Sequence, residues 1–198
     1  MYKHIFFDCA DTLLSFDGIR ILTEKLGGDE ARAKRIHATV FTGPIWWDYD
    51  RGLVPFSAVK ETVLPRLDAK DLAIGTWYLE NHLAFFFPID GTAALLADLK
   101  AQGYRLYVLS DFSVGFGRLV ERFDLFSLFD GLVVSYQHGV SKQDRGLFPR
   151  ILELYGLDPA ECVFFDDRAA NIEAAAEFGI AGHVYTSVAD TRRVLGLA

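Results

Sequence analysis

Cysteine is scarce in this chain: Cys9 and Cys162 are the only two thiols in 198 residues, alongside a single methionine. Two thiols cannot build the disulfide framework of a small exported domain, and both lie inside apolar runs where cysteine acts as a packing residue. A reducing, cytoplasmic setting is therefore expected. Long apolar runs are also missing. None approaches the roughly 20 residues that span a bilayer, and the N-terminus lacks a basic segment followed by a long apolar one. A non-secreted protein without a membrane partner is the expectation. Positive charge is in deficit as well, with 20 Lys plus Arg against 27 Asp plus Glu and a net charge of −7. No basic face is left to neutralise a phosphate backbone, so nucleic acid is not an expected partner. Internal repeats and low-complexity segments are absent.

What is present is a core-forming composition, 51% hydrophobic and 24% charged, in a length of one to two domains. The run His4-Ile5-Phe6-Phe7 is β-rich and stops at Asp8, which reads as a buried strand delivering a carboxylate at its C-terminal end. Similar runs recur at 104–109 before Ser110, at 131–134 before Ser135 and at 162–165 before Asp166 and Asp167, with a shorter one at 182–185. Helical periodicity fills intervals at 92–101, 144–155 and 169–178, stopped by Gly103, Gly156 and Gly179. Strands alternating with helices predict an α/β fold, a Rossmann-like parallel sheet covered on both faces.

Residues 16–87 break that rhythm. They contain no good strand and read as four helices at 19–26, 30–41, 56–64 and 70–85, punctuated by Gly27-Gly28, Gly43-Pro44, Arg51-Gly52 and Pro65. The expected organisation is a core of residues 1–15 and 88–198 with a helical cap of 16–87 inserted. Because the insertion follows the first strand, it should lie over the C-terminal edge of the sheet, where open α/β sheets bind ligands.

The chemistry-bearing residues fall at strand ends: Asp8 with Thr12, Ser110, Lys142, and the pair Asp166-Asp167 with Asn171. A single Asp after a strand is usually a cap or turn former. An ordered set is different, because a parallel sheet gathers its strand ends into one cluster. Here that cluster would hold a carboxylate nucleophile, hydroxyl donors, a fixed cation and two further carboxylates, suited to a phosphate and a divalent metal.

These segments resemble the haloacid dehalogenase (HAD) superfamily. The first motif is Phe6-Phe7-Asp8-Cys9-Ala10-Asp11-Thr12-Leu13, the second Leu109-Ser110, the third Lys142 in Gly139-Val140-Ser141-Lys142, and the fourth Phe164-Phe165-Asp166-Asp167-Arg168-Ala169-Ala170-Asn171. The inserted helices resemble the family's C1-type cap, and the chain is similar to small bacterial sugar-phosphate phosphatases and to the phosphatase domains of epoxide hydrolases. The resemblance implies a Mg²⁺-dependent phosphatase of a small phosphorylated metabolite, of the sugar-phosphate class. Asp8 would be the nucleophile that forms an aspartyl phosphate. Thr12 and Ser110 would hydrogen-bond phosphoryl oxygens, Lys142 would neutralise their charge, and Asp111 would stand beside Ser110 at the substrate. The metal would take Asp8, the Ala10 carbonyl and Asp167, with Asp166 in its inner or outer shell and Asn171 in a supporting role.

One position departs from the pattern. The family's phosphatases have a second Asp two residues after the nucleophile, where it protonates the leaving oxygen; here it is Ala10. Loss of a general acid/base removes roughly 10²- to 10⁴-fold in rate. Three readings stay open: Asp11 takes over the role, the substrate has a good leaving group or supplies the proton, or the protein binds metabolites with weak or lost catalysis. Phosphonatase-like chemistry is a minor alternative that requires a cap lysine, for which Lys60 is the candidate. Dehalogenase-like hydrolysis is another, opposed by the Asp166-Asp167 pair. In the cap, Trp46, Trp47, Tyr49 and Arg51 form a Gly-flanked loop expected to face the active site, with Trp47 and Arg51 meeting the substrate and Trp46 equally suited to packing. The run Phe85-Phe86-Phe87 is expected to serve hinge and core packing.

Overall fold

The computed structural model describes residues 2–197. The chain runs β1 (His4–Phe7), β2 (Leu14–Phe16), α1 (Gly18–Lys25), α2 (Glu30–Val40), α3 (Pro44–Asp50), α4 (Phe56–Val63), α5 (Leu72–Glu80) and β3 (Phe86–Pro88). It continues through α6 (Thr92–Ala101), β4 (Arg105–Ser110), α7 (Phe116–Arg122), β5 (Gly131–Val134), α8 (Leu147–Tyr155), β6 (Cys162–Asp166), α9 (Ala169–Ala176), β7 (Ala181–Val184) and α10 (Val188–Val194).

Five strands form a parallel sheet in the order β5-β4-β1-β6-β7. Side-chain alternation sends Ile5, Phe7, Val108 and Phe165 into one buried cluster and Phe6, Leu109, Val133 and Phe164 into another. Both faces are covered, as a parallel sheet joined by helices requires. The register decides where the chemistry goes. Phe7 pairs with Val108 on one side and with Phe165 on the other, so Asp8, Ser110 and Asp166 arrive at the same edge. β1 is also the strand at which the order reverses, the switch point that opens a crevice at carboxyl ends.

Helices α1 to α5 pack around a third cluster that includes Leu22, Ile36, Val59, Val63 and Tyr78. The insertion does contain strands, contrary to expectation: β2 and β3 pair antiparallel at its two ends, Leu14 against Pro88 and Phe16 against Phe86. Segments of three residues are too short for alternation to register. The segment read as a Gly-flanked loop is the helix α3. Gly43 precedes it at φ 108°, and Pro44 occupies its first turn, where a missing N–H and a preset φ favour initiation. The expected helix 70–85 divides into α5 and a 3₁₀ turn, His82–Phe85. The expected helix 144–155 begins only at Leu147, because the Asp144 carboxylate instead accepts the N–H groups of Ser141 and Gly146 at 2.9 Å each. α7 and α10 had not been anticipated.

A hydrogen bond latches the helical layer to the sheet. Ser135, just after β5, accepts the Phe112 N–H at 2.9 Å and donates its hydroxyl to the Asp50 carbonyl at the end of α3. Close by, Gly52 lies at φ 71°, and a Cβ on it would stand 2.7 Å from the Tyr136 carbonyl oxygen. Both the backbone conformation and the space demand glycine. Gly52→Ala should destabilise the fold by more than the ~1–2 kcal/mol of an unfavourable left-handed residue, read as a lower thermal-unfolding midpoint. Gly27→Ala, left-handed at φ 67° with nothing within 4 Å, should lose only that backbone contribution. Equal midpoints for the two variants would contradict the close approach.

Candidate active site

Lys142 organises the sheet edge. Its ammonium is 2% exposed, 2.9 Å from Asp8 Oδ1 and 2.6 Å from Asp166 Oδ2. A lysine is held this deeply only when paired. Burial on its own would lower the Lys142 pKa, but Asp8, Asp166 and Asp111 together hold it above the ordinary lysine value. The backbone is fixed too, as the Lys142 N–H donates to Asp111 Oδ1 at 2.8 Å. Asp166 is saturated: Asn171 Nδ2 lies 2.9 Å from both its oxygens, and the Arg168 N–H reaches Oδ1 at 2.8 Å. Asn171 therefore acts on the lysine through Asp166.

The Asp8 carboxylate receives the Cys9 N–H at 2.7 Å as well as Lys142, and both bonds end on Oδ1. Oδ2 is the oxygen free of both. Burial raises the Asp8 pKa against the pull of Lys142, and Asp166 raises it further. Two buried hydroxyls complete the pocket: the Ser110 hydroxyl stands against Asp8, whose pKa it helps to lower, and Thr12 Oγ1 has no hydrogen-bonding partner. Such an unpartnered group is expensive to leave unmatched unless a ligand satisfies it.

The carboxylates of Asp8, Asp166 and Asp167 offer oxygens within 4.8 Å of one another. Around one ammonium stand these three carboxylates and Asp111, an excess of negative charge that a hard divalent cation would balance, and oxygen donors suit Mg²⁺. The residues fit the expected metal. Asp167 is exposed while Asp166 is consumed by Lys142 and Asn171, so Asp167 is the one open to direct ligation. Burial, Asp166 and Asp11 all raise the Asp167 pKa, the electrostatic signature of carboxylates waiting for a cation.

A cavity of about 390 Å³ opens beside this cluster, between sheet and helices, with Ala10, Asp11, Asp111 and Ser113 on its floor. Its roof differs from expectation. Trp47 is 56% exposed and does not line it. Arg51 is drawn away by Asp48 at 2.6 Å and Asp144 at 3.5 Å, and Tyr49 is buried among the cap helices. The helical form of α3 turns Trp46 and Asp50 to the cavity instead, four residues apart on one face. Phe86, expected to be hinge packing, lines the cavity as well, with His37 and His82. Sequence reasoning missed Asp50 and both histidines, and only the α3 register could have revealed Asp50. Lys60 pairs with Glu80 at 3.0 Å and is absent from the cavity wall.

The family model for haloacid dehalogenase-like hydrolases matches residues 2–179, and the chain belongs to that family. Among curated proteins it is 26% identical over 180 residues to the glyceraldehyde 3-phosphate phosphatase of Methanothermobacter thermautotrophicus, covering 85% of this chain and 78% of that one. It is 32% identical over 108 residues to the sesquiterpene phosphatase astK of Aspergillus oryzae, covering 52% of this chain and 55% of that one. The chain thus spans about half the length of some of the curated relatives it matches. A HAD family enzyme from Bacteroides thetaiotaomicron, solved with magnesium and inorganic phosphate, superposes with a TM-score of 0.71 at 20% identity over 94% of this chain and 96% of that one; it shares the fold.

Lys142→Met would leave Asp8 and Asp166 buried without their cation. In metal-free buffer the loss should reach ~3–5 kcal/mol near neutral pH. Its sign with pH follows from linkage: burial raises the Asp8 pKa and Lys142 lowers it, so without the lysine the unfolded state releases that proton first and stability falls as pH rises. Urea unfolding should show a smaller deficit at pH 5 than at pH 8. A deficit independent of pH would contradict the buried ion pairs.

Proposed function

We propose that this hydrolase is a Mg²⁺-dependent phosphatase of a small phosphorylated metabolite, with residues 16–87 as its cap and Asp8 as nucleophile. The observation that carries the reading is the pairing of Lys142 with Asp8 and Asp166 beside two buried hydroxyls, Ser110 and the unpartnered Thr12. That arrangement, with a divalent cation, fits a tetrahedral anion bearing one or two charges.

In this reading Asp8 Oδ2 attacks phosphorus, an Asp8–phosphorus bond forms, and the ester P–O bond breaks with its electron pair leaving on the alcohol oxygen. Water then attacks phosphorus, and inorganic phosphate departs with Asp8 regenerated. Lys142 holds Asp8 ionised and offsets the phosphoryl charge, while Thr12 and Ser110 donate to phosphoryl oxygens. Mg²⁺, held by Asp8, Asp167 and the Ala10 carbonyl with Asp166 beside it, would supply further charge neutralisation. The magnesium and phosphate in the Bacteroides enzyme and the phosphatase names of two relatives support this reading.

Ala10 leaves the leaving oxygen without the family's proton donor. Asp11 is not an obvious replacement: it sits at φ 55°, and its Oδ1 faces the Phe16 N–H at 3.4 Å. The proton is therefore assigned to solvent or substrate. A second reading, metabolite binding with vestigial turnover, rests on the same alanine. The sugar-phosphate class implied by the resemblance is not carried into this proposal, because Phe16, Phe41, Trp46, Phe86 and Phe112 give the cavity a largely aromatic wall.

Acetyl phosphate has a good leaving group and should be hydrolysed with Mg²⁺ and not with EDTA. Asp167→Asn should keep its circular dichroism spectrum while its Kd for Mg²⁺, measured by calorimetry, rises at least about tenfold. Unchanged affinity would remove the metal assignment, and a folded protein without Mg²⁺-dependent turnover would favour the binding reading.

A further inference from the structure

The cavity beside Asp8 is walled by rings. Phe41 lies 5.0 Å from Trp46 and 5.9 Å from His82, Trp46 meets His82 at 5.8 Å, and Phe16 continues the wall to Phe86 at 4.9 Å, all between ring centroids. Their polar handles are turned elsewhere. The Trp46 indole N–H donates to the Val40 carbonyl at 2.6 Å, His82 Nδ1 donates to the Leu79 carbonyl at 2.7 Å, and His37 Nδ1 is bonded to the Tyr78 hydroxyl at 2.9 Å. Burial holds both histidines below the ordinary imidazole pKa. They are neutral at pH 7 and add no cation to the wall.

The charged residues on the wall are all acidic. Asp11, Asp50 and Asp111 line the cavity, and no lysine or arginine does so among the described residues. Burial pushes the Asp50 carboxyl up to about 8, helped by Asp111 and opposed by the Ser113 N–H. A second anionic group on a substrate would therefore meet carboxyls and ring faces, with no countercharge. A polyhydroxylated body would find partners in Asp11, Asp50, Asp111 and Ser113, but its hydroxyls set against the ring faces would each leave water without a new partner. An uncharged hydrocarbon body would gain by burial against the rings.

Resting on the phosphatase reading, we infer that the substrate is a phosphomonoester of an uncharged, mainly hydrocarbon alcohol. Its phosphate lies at Asp8, Lys142, Thr12 and Ser110, and its body in the cavity lined by Phe41, Trp46 and His82. A volume of about 390 Å³ falls at the lower end of small-molecule sites, which suits a single ring or a short branched chain.

The test compares primary alkyl esters of similar leaving-group strength, so that the missing proton donor affects all alike. With Mg²⁺, kcat/KM for 2-phenylethyl phosphate should exceed that for glucose 6-phosphate, and that for 3-phosphoglycerate, by at least about tenfold. In Trp46→Ala the ratio of kcat/KM for 2-phenylethyl phosphate to that for acetyl phosphate should fall about tenfold. Turnover of acetyl phosphate combined with equal or better use of glucose 6-phosphate or 3-phosphoglycerate by the unmodified protein would overturn the inference and leave the phosphatase reading standing. Absence of Mg²⁺-dependent acetyl phosphate turnover would overturn both. The panel on the unmodified protein decides the matter even if Trp46→Ala does not fold.

Discussion

A single buried ammonium is the constraint on which the rest depends. Lys142 lies between Asp8 and Asp166 with 2% of its side chain exposed, and a charge so placed is tolerated only while both partners stay aligned. Alignment comes from the sheet. The register that sets Phe7 beside both Val108 and Phe165 brings the ends of β1, β4 and β6 level, and Asn171 from α9 fixes Asp166 with two 2.9 Å bonds. Three strands and a helix thus converge on one cation. The surplus of carboxylates around it is negative charge that a hard divalent cation would balance.

The cap contributes a different kind of chemistry. The helix α3 is carried over the sheet edge by the Ser135 bond to the Asp50 carbonyl, and that position turns Trp46 and the Asp50 carboxyl toward the cavity. Polarity is divided accordingly. The sheet edge holds one buried ammonium among carboxylates, whereas the cavity wall is largely aromatic, with acidic groups at Asp11, Asp50 and Asp111 and no basic residue among the described residues. Binding energy for the reacting group and for the body of a ligand would come from separate parts of the chain.

Much of the core was legible because each strand ends in a polar residue. Asp8, Ser110 and Asp166 each close an apolar run, and in a parallel sheet such endings must meet. Lys142 was grouped with the strand-end residues, whereas it lies in the loop between β5 and α8, which has no periodicity. Between β2 and β3 the chain is helical, yet the residues expected to meet the substrate there do not line the cavity. Trp47 and Arg51 were assigned to the substrate on composition, whereas the helical register of α3 exposes Trp47 and sends Arg51 to Asp48 and Asp144. The strands β2 and β3 escaped because they are three residues each and gain their pairing from across the insertion. His37 and His82 carry no local signal; they become cavity residues only through packing of the helices on one another.

The central claim is that Asp8, held by Lys142, becomes phosphorylated during turnover. The most direct measurement is mass spectrometry of protein quenched in acid during Mg²⁺-dependent turnover of acetyl phosphate. The account predicts one phosphoryl group on the peptide containing Asp8, absent when EDTA is present and absent in Asp8→Asn. Phosphate release at full rate with no adduct on that peptide, or with the adduct on another residue, would contradict it.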